Sequence, residues 1–153
     1  MHSDFLEKMS LEEKKWMAYA IGGMIVVDGA VDEQEVQHVR DAIDFLSDKY
    51  EIEKLITMIK KREIPFLETL QCDRSVAFEI ISNLATTAVA DGKFKRTEAD
   101  YLKKICFKLG FDPSFSLEIM SWVTRLVEVQ KERKKLADVA RNLEVSYGNS
   151  FIE

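Results

Sequence analysis

Apolar residues recur at three- and four-residue intervals along most of the chain, the spacing that places them on one side of a helix. Ser10-Leu-Glu-Glu13 has the form of a capping box, so a helix is expected from Leu11 to about Val27. Trp16, Ala20, Gly23, Met24 and Val27 form its inner side, and Asp28-Gly29 ends it, glycine taking the left-handed turn. Asp32 to Glu35 can cap a second helix, expected to reach about Ser47 with Val36, Val39, Ile43 and Leu46 as its buried stripe. Glu51 to Lys61 reads as a shorter helix through Ile52, Leu55, Ile56 and Ile59. The chain breaks at Ile64-Pro65-Phe66, after which Leu67 and Leu70 suggest one short helical turn. Asp73 is the expected cap of a long helix, Arg74 to Ala90, with Val76, Ile80, Leu84 and Thr87 in register. Beyond Asp91-Gly92 another helix runs through Leu102 and Ile105 to Leu109, and Gly110 stops it. Asp112-Pro113 starts the last helix, proline suiting the first helical position. That helix is expected to reach Val145, with a polar middle over 130–135, either projecting or covering the rest, and Gly148 marks its end. No segment alternates as a strand would. The pattern predicts an all-α fold of about seven helices.

One element occurs twice. Asp28-Gly-Ala-Val-Asp-Glu-Gln-Glu35 returns sixty-three residues later as Asp91-Gly-Lys-Phe-Lys-Arg-Thr-Glu98, each after a long apolar helix. Both read D-G-x-[VF]-x-x-x-E. The same shift pairs Ile21 with Leu84, Gly22 with Ala85, Val26 with Val89, Val31 with Phe94, Val39 with Leu102 and Leu46 with Leu109. These are expected core positions, so two helix-loop-helix halves are predicted, over about 11–62 and 74–126, related by a pseudo-twofold. A C-terminal helical extension, 127–153, completes a single domain of 153 residues. The small residues Gly22, Gly23 and Ala85 are expected to let the two long helices approach closely.

The repeated loops carry the candidate chemistry. The second half of an EF-hand also reads D-G-x-[IV]-x-x-x-E, ending in a bidentate glutamate. Counting back, the first and third ligand positions fall on Met24 and Val26, or Thr87 and Val89, which supply no carboxylates. Neither loop is a complete EF-hand. Asp28, Asp32, Glu33 and Glu35 nevertheless put four acids within eight residues, and a hard cation such as Ca²⁺ would relieve their repulsion. The second loop carries Lys93, Lys95 and Arg96 against Asp91 and Glu98, so a metal there alone is disfavoured. Two arrangements stand: the pseudo-twofold joins Asp91 and Glu98 to Asp28 and Glu35 in one cluster, or Lys95 and Arg96 neutralise the acidic loop. The plainer role for Asp28 and Asp91 is turn stabilisation, and for Glu35 and Glu98 capping of first-turn amides. His38, one turn beyond Glu35, is a candidate ligand, but a lone solvent-facing histidine is the expectation, and its repeat counterpart Tyr101 weakens a metal role.

Composition narrows the function classes. A net charge of −5 and a pI near 5.2 argue against nucleic acid and towards cations or basic partners. Cys72 and Cys106 form no CxxC pair and lie near neither histidine, so buried inert thiols are expected and no disulfide. The N-terminus has no basic stretch leading into an apolar one, and the longest apolar run, Met17 to Val27, is about half of the ~20 residues of a membrane span. A cytoplasmic protein is expected. Lys131, Arg133, Lys134 and Lys135 read as a solvated helical face, with peripheral membrane contact the alternative. No GxSxG, P-loop, HExxH or Cys/His pair is present, so an enzyme is not expected.

The stretches "AIGGMIVVDGAVDEQEV" and "LATTAVADGKFKRTEADYLKKI" resemble the tellurite-resistance TerB family, whose domain type also opens DjlA-type membrane-anchored co-chaperones. The likeness runs from about Trp16 to Leu126. It implies an all-helical fold of two related halves with the motif acids, here Asp28, Glu35, Asp91 and Glu98, gathered on one surface. It further implies a non-enzymatic stress-response module binding a divalent cation, a protein partner, or both. Lys93, Lys95 and Arg96 depart from a symmetric acidic site. The competing reading is a purely structural interaction module, possible as a homo-oligomer, whose last helix makes the contact through Met120, Trp122, Val123, Leu126, Val127 and Val129.

Overall fold

A computed structural model describes residues 3–29 and 31–147; Ala30 and Gly148 lie outside the described residues. Among them the chain forms seven α-helices and no strand: α1 (Ser3–Lys8), α2 (Leu11–Asp28), α3 (Glu33–Ala42), α4 (Lys49–Lys60), α5 (Arg74–Ala88), α6 (Arg96–Lys108) and α7 (Pro113–Arg141). The all-α expectation holds.

α2 sits at the centre because it has no polar side beyond its first turns. Met17, Ala18, Ala20, Ile21, Gly22, Gly23 and Met24 are all buried, and α3, α4, α5 and α6 pack round it. A helix that is apolar all round has to be covered all round. Ser10 and Glu13 make the reciprocal cap at its start, with Glu13 N donating to Ser10 Oγ at 3.1 Å and Ser10 N to Glu13 Oε1 at 2.8 Å.

The helix starts keep the repeat. Leu11 and Arg74 open α2 and α5, Glu33 and Arg96 open α3 and α6, each sixty-three apart. Lys49 and Pro113 open α4 and α7 sixty-four apart, on Asp48 and Asp112, whose carboxylates accept first-turn amides in both copies. Of the shifted pairs, Ile21/Leu84, Gly22/Ala85, Val39/Leu102 and Leu46/Leu109 are buried on both sides. One continuous core joins residues from α2 to α7.

Three segments depart from expectation by more than two residues. α3 stops at Ala42 and the chain tightens into a 3₁₀ turn, Asp44–Leu46, with Ser47 at φ 58°. The tighter winding still buries Ile43 and Leu46 and frees Asp48 to cap α4. Residues 63–73 contain no helical turn. They form an extended strap in which Pro65, Leu67 and Leu70 are buried. Three-residue spacing fits an extended segment held from outside as well as it fits a helix. Here the strap is held near its middle: Trp16 Nε1 donates to Glu68 O at 2.7 Å, and Leu70 N to Lys108 O at 2.9 Å. Trp16→Phe keeps most of the packing but orphans the Glu68 carbonyl. We expect about 1–2 kcal/mol of lost stability in urea titration, with protease cleavage shifting into the strap.

The last helix ends at Arg141 rather than Val145. Ile119, Val123 and Val127 dock it onto α5 and α6, whereas residues 131–147 are exposed throughout. It projects. The expected close approach of α2 and α5 through glycine also takes another form. The atoms crowding Gly22 are Leu55 and Ile59 of α4, and those crowding Gly23 belong to Tyr101 of α6.

Candidate functional site

The two D-G loops are built alike and finished differently. Gly29, at φ 82°, closes α2 by donating to Ile25 O and Val26 O. Asp32 then caps α3, its Oδ1 accepting Glu35 N at 2.8 Å, which leaves Glu35 in the first turn. In the second copy α5 ends earlier, at Ala88, and the Asp91 carboxylate accepts Lys93 N at 3.0 Å to hold the turn. The residue in the cap position is Lys95, whose side chain accepts nothing. Glu98 supplies the other half of the cap alone, Oε1 accepting Lys95 N at 3.0 Å.

Because Lys95 is not needed to cap its own helix, its side chain crosses to the first copy. Its Nζ lies 3.1 Å from Asp28 Oδ1 and donates to Asp28 O at 2.7 Å. Thr97 Oγ1 donates to Val27 O at 3.2 Å beside it. The end of α2, where the backbone dipole is negative, therefore receives an ammonium and a hydroxyl from α6. The loops meet in space.

Between them lies a cleft of about 280 Å³. Its floor is apolar, from Ile21, Met24, Ile25, Val39 and Ala88, and Asp28, Glu35, Asp91 and Glu98 all line it. Asp32 and Glu33 do not; both are exposed, and Asp32 is spent on its cap. Arg96 makes no ion pair among the described residues, so the neutralising role falls to Lys95. His38 lines the cleft while facing solvent, its Nδ1 4.0 Å from Glu35 Oε1. Its counterpart Tyr101 is buried and donates to Ala20 O at 3.2 Å. Sequence reasoning missed Thr97. Thr97 carries no signal of its own, but its place two residues after the cap position puts a hydroxyl at the α6 start.

Glu98 is 4% exposed and is the sole buried charged side chain among the described residues. Burial pushes its carboxyl up, and the negative charges of Asp28 and Asp91 push the same way. The Lys95 amide and ammonium oppose them. A carboxylate so placed favours any added positive charge. Among the described residues, no three Asp, Glu, His or Cys side chains stand close enough together to share one metal ion as the side chains lie. The ammonium of Lys95 is the cation that Asp28, on the edge of the cleft, already holds.

Residues 17–120 match the family model described as tellurite resistance protein TerB. The chain belongs to the TerB family. Nothing matches among curated proteins or among solved structures. The TerB match takes in both loops and the whole cleft, and it stops within the docked part of α7. The exposed end of α7 lies beyond the matched residues. No helix among the described residues is long and apolar enough to cross a membrane.

Proposed function

We propose that this TerB-family chain is a non-catalytic stress-response module of the cytoplasm, folded as one unit over 1–153, whose acidic cleft takes up a cation. The favoured cation is Ca²⁺ or another hard divalent ion. Asp28, Glu35, Asp91 and Glu98 would hold it after Lys95 swings out, with Asp32 and Glu33 adding to the field at the mouth. The observation that carries this reading is the position of Lys95 Nζ, 3.1 Å from Asp28 Oδ1 at the edge of a cleft lined by all four repeated acids. An ammonium and a metal ion compete for the same carboxylates, and the tethered one is on a flexible stem. Small side-chain rotations around an open cleft can draw the acids together. Oxygen donors and incomplete dehydration suit Ca²⁺ better than a transition metal.

The test is calorimetric titration of Ca²⁺ into metal-free protein. Wild type should bind saturably, Asp28→Asn/Glu35→Gln should not, and Lys95→Met should bind several-fold more tightly because the competing charge is gone. Silence from all three proteins would end the ion reading.

The separation of the acids favours a second reading, in which the cleft receives a Lys or Arg side chain of a protein partner. A long basic side chain needs one carboxylate and an apolar wall for its stem, and the cleft has both. Partner capture that survives chelation of Ca²⁺ but fails with Asp28→Asn/Glu35→Gln would select it.

A further inference from the structure

The exposed end of α7 is apolar along one line. Val129 is 57% exposed, Leu136 70% and Leu143, just past the helix, 69%. Extended into the docked half, that line runs Trp122, Leu126, Val129, Arg133, Leu136, Ala140, at alternating steps of four and three residues. This is a heptad seam with Leu126, Arg133 and Ala140 at the a positions and Trp122, Val129 and Leu136 at d. A helix that only covers its own domain has no need to keep that alternation after leaving it.

From Val129 onward the seam is clear of the contact α7 makes with its own body, whereas Trp122 and Leu126 are half-buried against that body. At 100° per residue, Val129 and Leu136 lie about 120° and 140° round the helix from the centre of the stripe formed by Ile119, Val123 and Val127. Two copies paired along it would point their bodies apart. The charges fit a second copy in parallel register. There an a-position side chain packs beside the preceding g residue of the other helix, which sets Arg133 of each copy against Glu132 of the other, twice over. The remaining flanks, Arg125 against Gln130 and Glu132 against Ala137, bring no like charges together, so the one like-charge contact of this register is Arg133 against its own copy across the a layer, offset by the Glu132 on either side. Turned antiparallel, Arg133 would face Leu136 or Val129 and lose its partner.

We propose that a second copy of this chain covers the outer stripe of α7 as a parallel two-stranded coiled coil. The proposal is independent of the cation reading. From Val129 to Arg141 the seam spans roughly 20 Å, short of a standard interface, so the dimer is weak and reversible. Arg133 fixes register and strand number at the cost of affinity, as a single polar core residue does.

Sedimentation of the full chain from about 1 µM to 1 mM tests it. Wild type should shift from monomer to dimer across that range. Leu136→Glu should push the shift at least about tenfold higher, with an unchanged thermal melt because Leu136 touches no core. Arg133→Leu should pull it at least about tenfold lower. In a Cys72→Ser background, Val129→Cys should form a symmetric disulfide, since in parallel register it meets itself. A chain that stays monomeric throughout, or a dimer indifferent to Leu136→Glu, overturns the proposal. A dimer that Val129→Cys fails to cross-link overturns the parallel arrangement.

Discussion

Gly23→Ala should cost at least about 3 kcal/mol of stability, the largest effect expected from adding one methyl group to this chain. A Cβ at Gly23 would stand 1.9 Å from Tyr101 Oη and 2.6 Å from its Cζ. The tyrosine cannot step aside cheaply. It is buried between α6 and α2, and its hydroxyl donates to Ala20 O. Burial holds its ionisation well above the ordinary range, so no pH below strongly alkaline turns it into an anion that would leave. Gly22→Ala, one position away, provides the control. There the added carbon meets the flexible ends of Leu55 at 2.9 Å and Ile59 at 3.2 Å. The gain of roughly 1 kcal/mol from replacing a mid-helix glycine offsets much of that crowding. Chemical denaturation should therefore separate two adjacent glycines of one helix by several kcal/mol. Gly23→Ala/Tyr101→Phe should recover only part of the loss, because Cζ remains too near. Equal costs at Gly22 and Gly23 would mean that α6 does not pack on α2 in this way.

The same pair marks what the sequence told and what it withheld. Periodicity and caps located the helices because they act locally: Ser10 with Glu13, Asp32 with the Glu35 amide, Asp112 before Pro113. The repeat was legible because both copies need an apolar residue at the same place in each helix, as Val39 and Leu102 show. Which helix fills the space over a glycine was not, since any neighbour can do so; α5 was expected and α6 arrived. The strap at 63–73 was misread for a related reason. Leu67 and Leu70 look helical by spacing, and only Trp16 and Lys108, far off in the chain, show where the strap's polar groups go. At the cleft, the sequence named Asp28, Glu35, Asp91 and Glu98 from their recurrence. It offered Lys95 and Arg96 together as neutralisers of the acidic loop and could not choose between them, because a lysine in a cap position reads as a failed cap until its far end is located.

Glu98→Gln should uncouple the cleft's charge from its architecture. A glutamine oxygen can still accept the Lys95 amide, so the α6 cap survives while the buried charge disappears. In wild type the carboxyl is raised in the folded state by burial and by Asp28 and Asp91, so the fold holds this proton more firmly than the unfolded chain does. The sign follows: Glu98 contributes stability at pH below the ordinary carboxylate value, and that contribution is lost as pH rises through the raised one. Glu98→Gln should flatten that part of the stability profile and leave the protein at least as stable as wild type at neutral pH without Ca²⁺. Ca²⁺ reverses the comparison. On the cation reading, an ion in the cleft is a near neighbour of the Glu98 carboxylate and favours its ionised form, so binding expels the proton. Ca²⁺ affinity of wild type should then climb as pH rises through the same window, with proton release visible as a dependence of the binding heat on buffer ionisation. Glu98→Gln should bind at least about tenfold more weakly and release no proton there. If Glu98→Gln binds Ca²⁺ as wild type does, the buried carboxylate is a cap alone, and the cation site is confined to the exposed acids at the rim.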